Sequence, residues 1–280
     1  MQPTDRHVSK LDGTVKLLFR LRDGAPAESV VLFNKDRASA CLSSQSGCPC
    51  ACVFCATGAF GFERDLTADE ITAQFEACQK EAGGRLSNLV FMGMGEPFLN
   101  WPNVKQAILT LSDQKGHNFP QSRMTVSTIG IVPAIKELAA SGLKIKLAIS
   151  LVTADRQQRA GLAPMDGKYP LPDILAAARE YCGGTGKSVF FEYILFDTLN
   201  DSAPAARKLL SLVKGVKCKI NLIPYNRFPG TAFSPTALER AREFQKVLIA
   251  AGIRTHLRRE KGADIGAACG QLAAATRQPR

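Results

Sequence analysis

No apolar run in the 280 residues approaches the ~18 that a membrane span requires. An export leader is also missing: Met1 to Lys10 is polar and mixed in charge, without an apolar core or a cleavage pattern. A cytoplasmic protein with no membrane role is therefore expected. There is no internal repeat, no low-complexity segment and no composition shift that would mark a second domain. Acidic residues are in short supply, with 25 Asp and Glu against 36 Lys and Arg, a net charge of +11. That excess favours a polyanionic partner, because neutralised phosphates release counterions. The bland reading of the same numbers is a solvated basic surface that aids solubility, so charge alone gives only a modest lean towards nucleic acid.

What the chain has in quantity is cysteine, nine in all. They sit at 41, 48, 50, 52, 55, 78, 182, 218 and 269. A disulfide framework belongs to short exported chains, and neither condition holds here. Four of the nine crowd into residues 48–55, which suits a metal or cluster site better than disulfide pairing.

With 45% hydrophobic and 22% charged residues, the chain can bury a sizeable α/β core. Residues 1–12 lack periodicity and read as a short arm. Two β-rich runs over 14–33 flank a Gly24-Ala25-Pro26 break and read as a hairpin. From residue 38 the pattern alternates. Strands are expected at 39–44, 88–93, 123–128, 144–152, 188–196 and 218–224, and helices at 65–83, 104–113, 132–142, 171–183, 203–215 and 236–252. Thr67 and Glu70 form a capping box, while Gly142, Gly215 and Gly252 stand where helices end. Six βα units imply parallel strands in a barrel or open sheet, with chemistry at the C-terminal strand ends.

The suspicious residues fall at those ends. Cys48, Cys52 and Cys55 supply three thiolates from one irregular loop. A 4Fe–4S cluster usually takes four cysteines. With three, one iron keeps positions that S-adenosylmethionine (SAM) can chelate, and electron transfer there cleaves the sulfonium to a 5′-deoxyadenosyl radical. The competing assignment is zinc with Cys50 as fourth ligand. Structural zinc sites draw cysteine pairs from separate loops, and four ligands at 48, 50, 52 and 55 would cramp a tetrahedron. Cys50 is better read as a bystander or an oxidisable spare thiol, and Phe54 as a shield for the cluster.

Gly93-Met94-Gly95-Glu96-Pro97 follows a strand; its carboxylate could meet the SAM ammonium, although GxGE is usually only a turn. It is not a dinucleotide fingerprint, since no GxGxxG helix start follows. Ser127, Ser150 and Asn226 are ordinary strand-end polar residues until placed around one mouth. Cys78, Cys182 and Cys218 sit in helix and strand patterns and read as small buried hydrophobes. Cys41 and Cys269 could be read the same way, but Cys269 lies in a Gly/Ala-rich stretch that leaves it sterically open.

SSQSGCPCACVFC, FMGMGEP, RMTVST, AISL, KINLIPYN and DIGAACGQLA occur in an order and spacing that resemble the RlmN/Cfr family of radical SAM RNA methyltransferases. The likeness runs from about residue 14 to residue 273. It implies an α/β fold, the radical SAM partial (β/α)6 barrel with an N-terminal β-hairpin extension. Residues 1–37 would be the arm and hairpin, and 38–280 the barrel with a C-terminal catalytic-cysteine segment.

The resemblance also implies roles. One SAM would methylate Cys269. A second, bound at the 4Fe–4S cluster of Cys48, Cys52 and Cys55, would yield the radical that activates the S-methyl group for addition to an adenine ring carbon. Glu28 would accept the ring proton, and Cys41 would attack the Cys269 sulfur, freeing the base as a transient disulfide forms. Without the family, Glu28 reads as a solvated strand carboxylate. SAM contacts would come from Gly95, Glu96, Ser127, Ser150, Leu151, Val152 and Asn226. The implied partners are ribosomal or transfer RNA and a reductant such as flavodoxin or ferredoxin; a monomer is expected.

Two departures stand out. Val152 occupies a place where the family commonly has histidine, a change that spares a backbone contact but not an imidazole role. The chain also begins almost at the hairpin, where relatives usually carry a helical accessory domain thought to help grip RNA. Arg6, Lys10, Lys16, Arg20, Arg22, Arg254, Arg258, Arg259 and Lys261 are the candidates for a reduced phosphate-binding surface. Two rival functions remain: a radical SAM enzyme acting on a non-RNA substrate, and a noncatalytic iron–sulfur RNA-binding protein. Neither needs Cys41, Cys269 and Glu28 together.

Overall fold

The computed structural model describes residues 1–35, 37–84 and 86–272. The last residue of the DIGAACGQLA motif, Ala273, and the rest of the 38–280 range beyond it lie outside the described residues. Two compact units result: Met1–Ala51 with Cys55–Ser127 and the segment from Glu260, and Cys52–Phe54 with Thr128–Arg259.

In the first unit, β1 (Asp5–Val8), β2 (Val15–Arg20), β3 (Pro26–Asn34) and β4 (Arg37–Cys41) form an antiparallel meander. The expected hairpin is β2–β3. The supposed arm differs: it contains β1, an edge strand whose residues are mostly exposed, so it carries no apolar periodicity to read. One face of the meander buries Val15, Leu17, Phe19, Ala27 and Val31. Each of the valine, leucine and phenylalanine side chains contributes about 1.5–3 kcal/mol when fully buried. The other face carries Lys16, Leu18, Glu28 and Val30, paired across the strands as Lys16 with Val30 and Leu18 with Glu28.

The chain then forms β5 (Gln45–Gly47), α1 (Ala56–Phe60) and β6 (Phe62–Asp65), with β5 and β6 antiparallel. Gly47 has φ 75°, and a Cβ there would lie 1.9 Å from the carbonyl oxygen of Gly61, so only glycine fits. Next come α2 (Ala68–Glu81), β7 (Leu86–Phe91), α3 (Trp101–Ser112) and β8 (Met124–Thr128). The Thr67–Glu70 capping box starts α2 as expected. Strands β4, β7 and β8 run parallel.

The second unit continues the alternation with α4 (Val132–Ala140), β9 (Lys146–Val152), α5 (Arg156–Leu162), α6 (Leu171–Thr185), β10 (Val189–Leu195), α7 (Ala203–Val213), β11 (Cys218–Pro224), α8 (Leu238–Ala250) and β12 (Thr255–Leu257). All four strands are parallel. The outward residues Phe191, Tyr193 and Leu195 are fully buried, and Tyr193 stacks on Phe244 of α8 at 5.2 Å. Gly142, Gly215 and Gly252 have φ of 73°, 78° and 81° just past the ends of α4, α7 and α8, the left-handed step that ends a helix.

Candidate active site

The C-terminal segment is fastened to the meander and to α1 by a series of bonds. Gly262 donates its amide to Asp12 at 3.0 Å, and Asp264 accepts from the Ser9 hydroxyl at 2.7 Å and the Lys10 amide at 2.9 Å. The Lys261 ammonium bonds the Phe33 carbonyl. The Ala56 amide donates to the Gly270 carbonyl at 2.7 Å, and the Thr57 hydroxyl to the Leu272 carbonyl at 3.1 Å. Val30, Met94, Ala267 and Leu272 form an apolar cluster, with Cys41, Leu32, Phe60 and Ile265 packed against it. Cys41, opposite Val30 on β4, and the segment carrying Cys269 thus share one cluster, while Cys269 itself is exposed.

Glu28 projects from the same face of β3 as Val30, and it is not a solvated carboxylate: both it and Lys16 are 0% exposed. The Lys16 Nζ lies 3.9 Å from Glu28 Oε1 and donates to the Gly266 carbonyl at 3.4 Å. At that charge separation the attraction is about 4 kcal/mol with an effective dielectric constant near 20. Burial pushes the proton affinity of Lys16 down, and Glu28 and Asp5 oppose the shift. Lys16 therefore leaves the set of candidate phosphate contacts, because strand alternation turns it inward. Arg6 pairs with Glu81 at 2.7 Å, whereas Lys10, Arg20, Arg22, Arg254, Arg258 and Arg259 are exposed.

In the cysteine loop, a hydrogen bond with the Cys50 side chain lowers the Cys48 thiol pKa, against burial and the charge of Glu96. Burial raises that of Cys55, and backbone amides of α1 partly offset it. Glu96 is buried, its amide donates to Gln45 at 2.8 Å, and its Oε1 accepts from the Phe98 amide at 3.0 Å. Gly95, at φ 97°, could not carry a Cβ, which would lie 2.5 Å from Gln45. Ser127 is half-buried at the penultimate position of β8.

Cys52 to Phe54 cluster with the second unit. There Cys52 is buried near the guanidinium of Arg159, and the Phe54 ring meets Phe196 edge-on at 6.3 Å. Arg159 is itself fully buried. Its guanidinium bonds Asp166 at 2.9 Å and the carbonyls of Ser150 at 2.9 Å, Leu151 at 2.5 Å and Ile129 at 2.6 Å. This clamp sets the backbone around the end of β9, where Val152 takes φ 67°, a strained value for a β-branched residue. Ser150, Glu192 and Asn221 stand in register across β9, β10 and β11. Asn221 donates to Glu192 Oε1 at 2.7 Å, while Oε2 has no hydrogen-bond partner among the described residues. Burial raises the Glu192 pKa. Asn226 is buried just beyond β11.

Residues 42–210 match the family model described as the Radical SAM superfamily. A probable dual-specificity RNA methyltransferase RlmN from Thermotoga petrophila is 46% identical over 96% of this chain and 78% of its own length. The dual-specificity RNA methyltransferase RlmN of Syntrophobacter fumaroxidans is 44% identical over 94% of this chain and 77% of its own. The chain belongs to the RlmN family. A radical SAM methyltransferase from Sphaerobacter thermophilus has a crystal structure that superposes with a TM-score of 0.93, at 43% identity, over 98% of this chain and 82% of that one.

The RlmN family membership makes the chain an enzyme, a methyltransferase with the radical SAM fold, mixed α/β around a parallel sheet. The superfamily implies a 4Fe–4S cluster and SAM. The donor chemistry fits: thiols are the soft ligands that iron–sulfur clusters take, and Cys48 is eased towards its thiolate by Cys50. Among the described residues no three His, Cys, Asp or Glu side chains are drawn around a single ion position, so the cluster assignment rests on thiol chemistry and family. No helix among the described residues is long and apolar enough to cross a membrane.

Two residues and one pairing escaped the reading of the sequence. Glu192 left a signal, a lone carboxylate in the apolar run SVFFEYILF. Arg159 left none, since α5 carries no clear periodicity. The pairing of Lys16 with Glu28 depends on strand register.

Proposed function

We propose that this RlmN-family enzyme methylates a ring carbon of adenosine in RNA, with Cys269 as methyl carrier. The observation that carries the reading is the shared setting of Cys41, Glu28 and the Cys269 segment on one face of the meander. Cys48, Cys52 and Cys55 would hold the 4Fe–4S cluster. Gly95, Glu96, Ser127, Ser150, Leu151, Val152 and Asn226 would bind SAM, two molecules being used per turnover. When bound, cluster and SAM supply a 5′-deoxyadenosyl radical that activates the S-methyl group.

The chain's own residues do the rest. The exposed Cys269 thiol accepts a methyl group from SAM and presents the activated carbon to the adenine ring, forming a covalent adduct, and the unpaired electron that the addition leaves on the ring would return to the cluster held by Cys48, Cys52 and Cys55. Glu28 takes the ring proton. The Cys41 thiolate then attacks the Cys269 sulfur: an S–S bond forms, the S–C bond breaks, its electron pair stays on the departing methylene carbon, and that carbon takes up a proton to become the methyl group of the base. An external reductant, a flavodoxin or ferredoxin in type, would supply electrons and restore the thiols. The target is ribosomal or transfer RNA, its base unstacked to reach the site, in the cytoplasm. The excess of 36 basic over 25 acidic residues supports an RNA substrate.

The test is anaerobic reconstitution with iron, sulfide, a reductant and methyl-deuterated SAM on ribosomal and transfer RNA, followed by nucleoside mass spectrometry. A deuterated methyladenosine that disappears in Cys269→Ala is the expected product. Its absence from both RNAs, with the deuterium found in a small molecule or nowhere, overturns the reading.

A further inference from the structure

We infer that Lys16 is a positioning residue for this reaction: its ammonium keeps the Glu28 carboxylate ionised and joins it to the Cys269 segment through the Gly266 carbonyl. The inference rests on the role proposed above for Glu28.

Glu28 and Lys16 are both 0% exposed, on adjacent antiparallel strands and the same face, offset by two positions in the register. A carboxyl enclosed without a cation holds its proton and is useless as a base. Lys16 supplies the cation. The gap of 3.9 Å is too long for a hydrogen bond, so the ammonium acts through its field and does not compete for the incoming proton. The ring C–H proton passes to Glu28, the C–H electron pair stays with the ring, and Lys16 remains protonated throughout.

The second contact gives the arrangement its purpose. Lys16 donates at 3.4 Å to the carbonyl of Gly266, three residues before Cys269. One ammonium thus registers the base against the strand of chain that carries the methyl group. Stability alone is a poor reason for such a pair, since an apolar pair of similar volume is often as stable. The other titratable groups facing this region are Asp5 and His7 on β1, Arg20 on β2, Cys41 on β4, and Asp264 and Cys269 in the C-terminal segment.

The experiment compares the wild type with Lys16→Met, Lys16→Gln and Lys16→Arg in the reconstituted enzyme. It follows three readouts: Cys269 S-methylation, protein–RNA adduct and release of methylated RNA between pH 6 and pH 9. In Lys16→Met, S-methylation and adduct formation persist. On the acidic limb of the profile release slows by about tenfold, because losing the cation raises the Glu28 pKa and moves that limb up by about one unit. Lys16→Arg restores both. If Lys16→Met fails to fold, shown by lost S-methylation, Lys16→Gln removes the charge while keeping a donor for Gly266. A Met or Gln profile that coincides with the wild type overturns the inference. Glu28→Gln separates the two claims. If it traps the adduct while the Lys16 variants release normally, only the inference fails; if it releases adduct like the wild type, the role of Glu28 fails.

Discussion

The Ala56 amide donates to the Gly270 carbonyl at 2.7 Å, so the residue after Cys55 is joined to the residue after Cys269. The start of α1 thereby fixes the segment that carries the proposed methyl carrier, and Thr57 repeats the tie one residue on through Leu272. The carrier sulfur stays exposed while the backbone on both sides of it is held.

Thr57→Val keeps the shape of this buried side chain and removes the bond to Leu272. The cost is about 1 kcal/mol, the ordinary net worth of such a bond. Amide hydrogen exchange over residues 267–272 rises more than in the β2–β3 hairpin. Equal exchange in the two regions contradicts the tether.

Arg159 puts four acceptors around one buried guanidinium, two of them the carbonyls of Ser150 and Leu151. Arg159→Leu leaves Asp166 without its counter-charge and costs about 3–5 kcal/mol in urea denaturation. Arg159→Lys does not rescue it, because one ammonium cannot reproduce a planar fork. A lysine variant of wild-type stability contradicts the clamp.

Glu192 is enclosed and its pKa is raised. Between the ordinary carboxyl pKa of 4.5 and the raised folded value, the unfolded chain is ionised while the folded one keeps its proton, so stability falls as pH rises through that window. Glu192→Gln keeps an acceptor for Asn221 and removes the penalty. The variant is expected to melt above the wild type at pH 7, by about 1–3 kcal/mol, and level with it below the carboxyl pKa. A variant that melts lower at pH 7 shows that the carboxylate is stabilised as an ion.

Much of this was legible in the sequence because it is periodic or capped. The hairpin over 14–33, the alternating βα units and the Thr67–Glu70 box are all present where the pattern put them. β1 was not legible, because an edge strand exposed on both faces leaves no alternation. At the site, the Cys48-x-x-x-Cys52-x-x-Cys55 spacing suggested a cluster loop, and the radical SAM superfamily match points to the same cofactor. Glu28 needed the family likeness, since a single strand carboxylate carries no mark of burial. Lys16 was read as a surface cation for the same reason: its inward direction is set by the strand register and by Gly266, 250 residues away in the chain.

The most direct test of the methyl-carrier chemistry uses Cys41→Ala, isolated anaerobically from cells with its bound nucleic acid. Without the resolving thiol the adduct has no exit. Mass spectrometry should then find Cys269 carrying an adenosine through a methylene bridge, and sequencing of the attached RNA names the substrate. Cys269 isolated with neither a methyl group nor RNA would contradict the account.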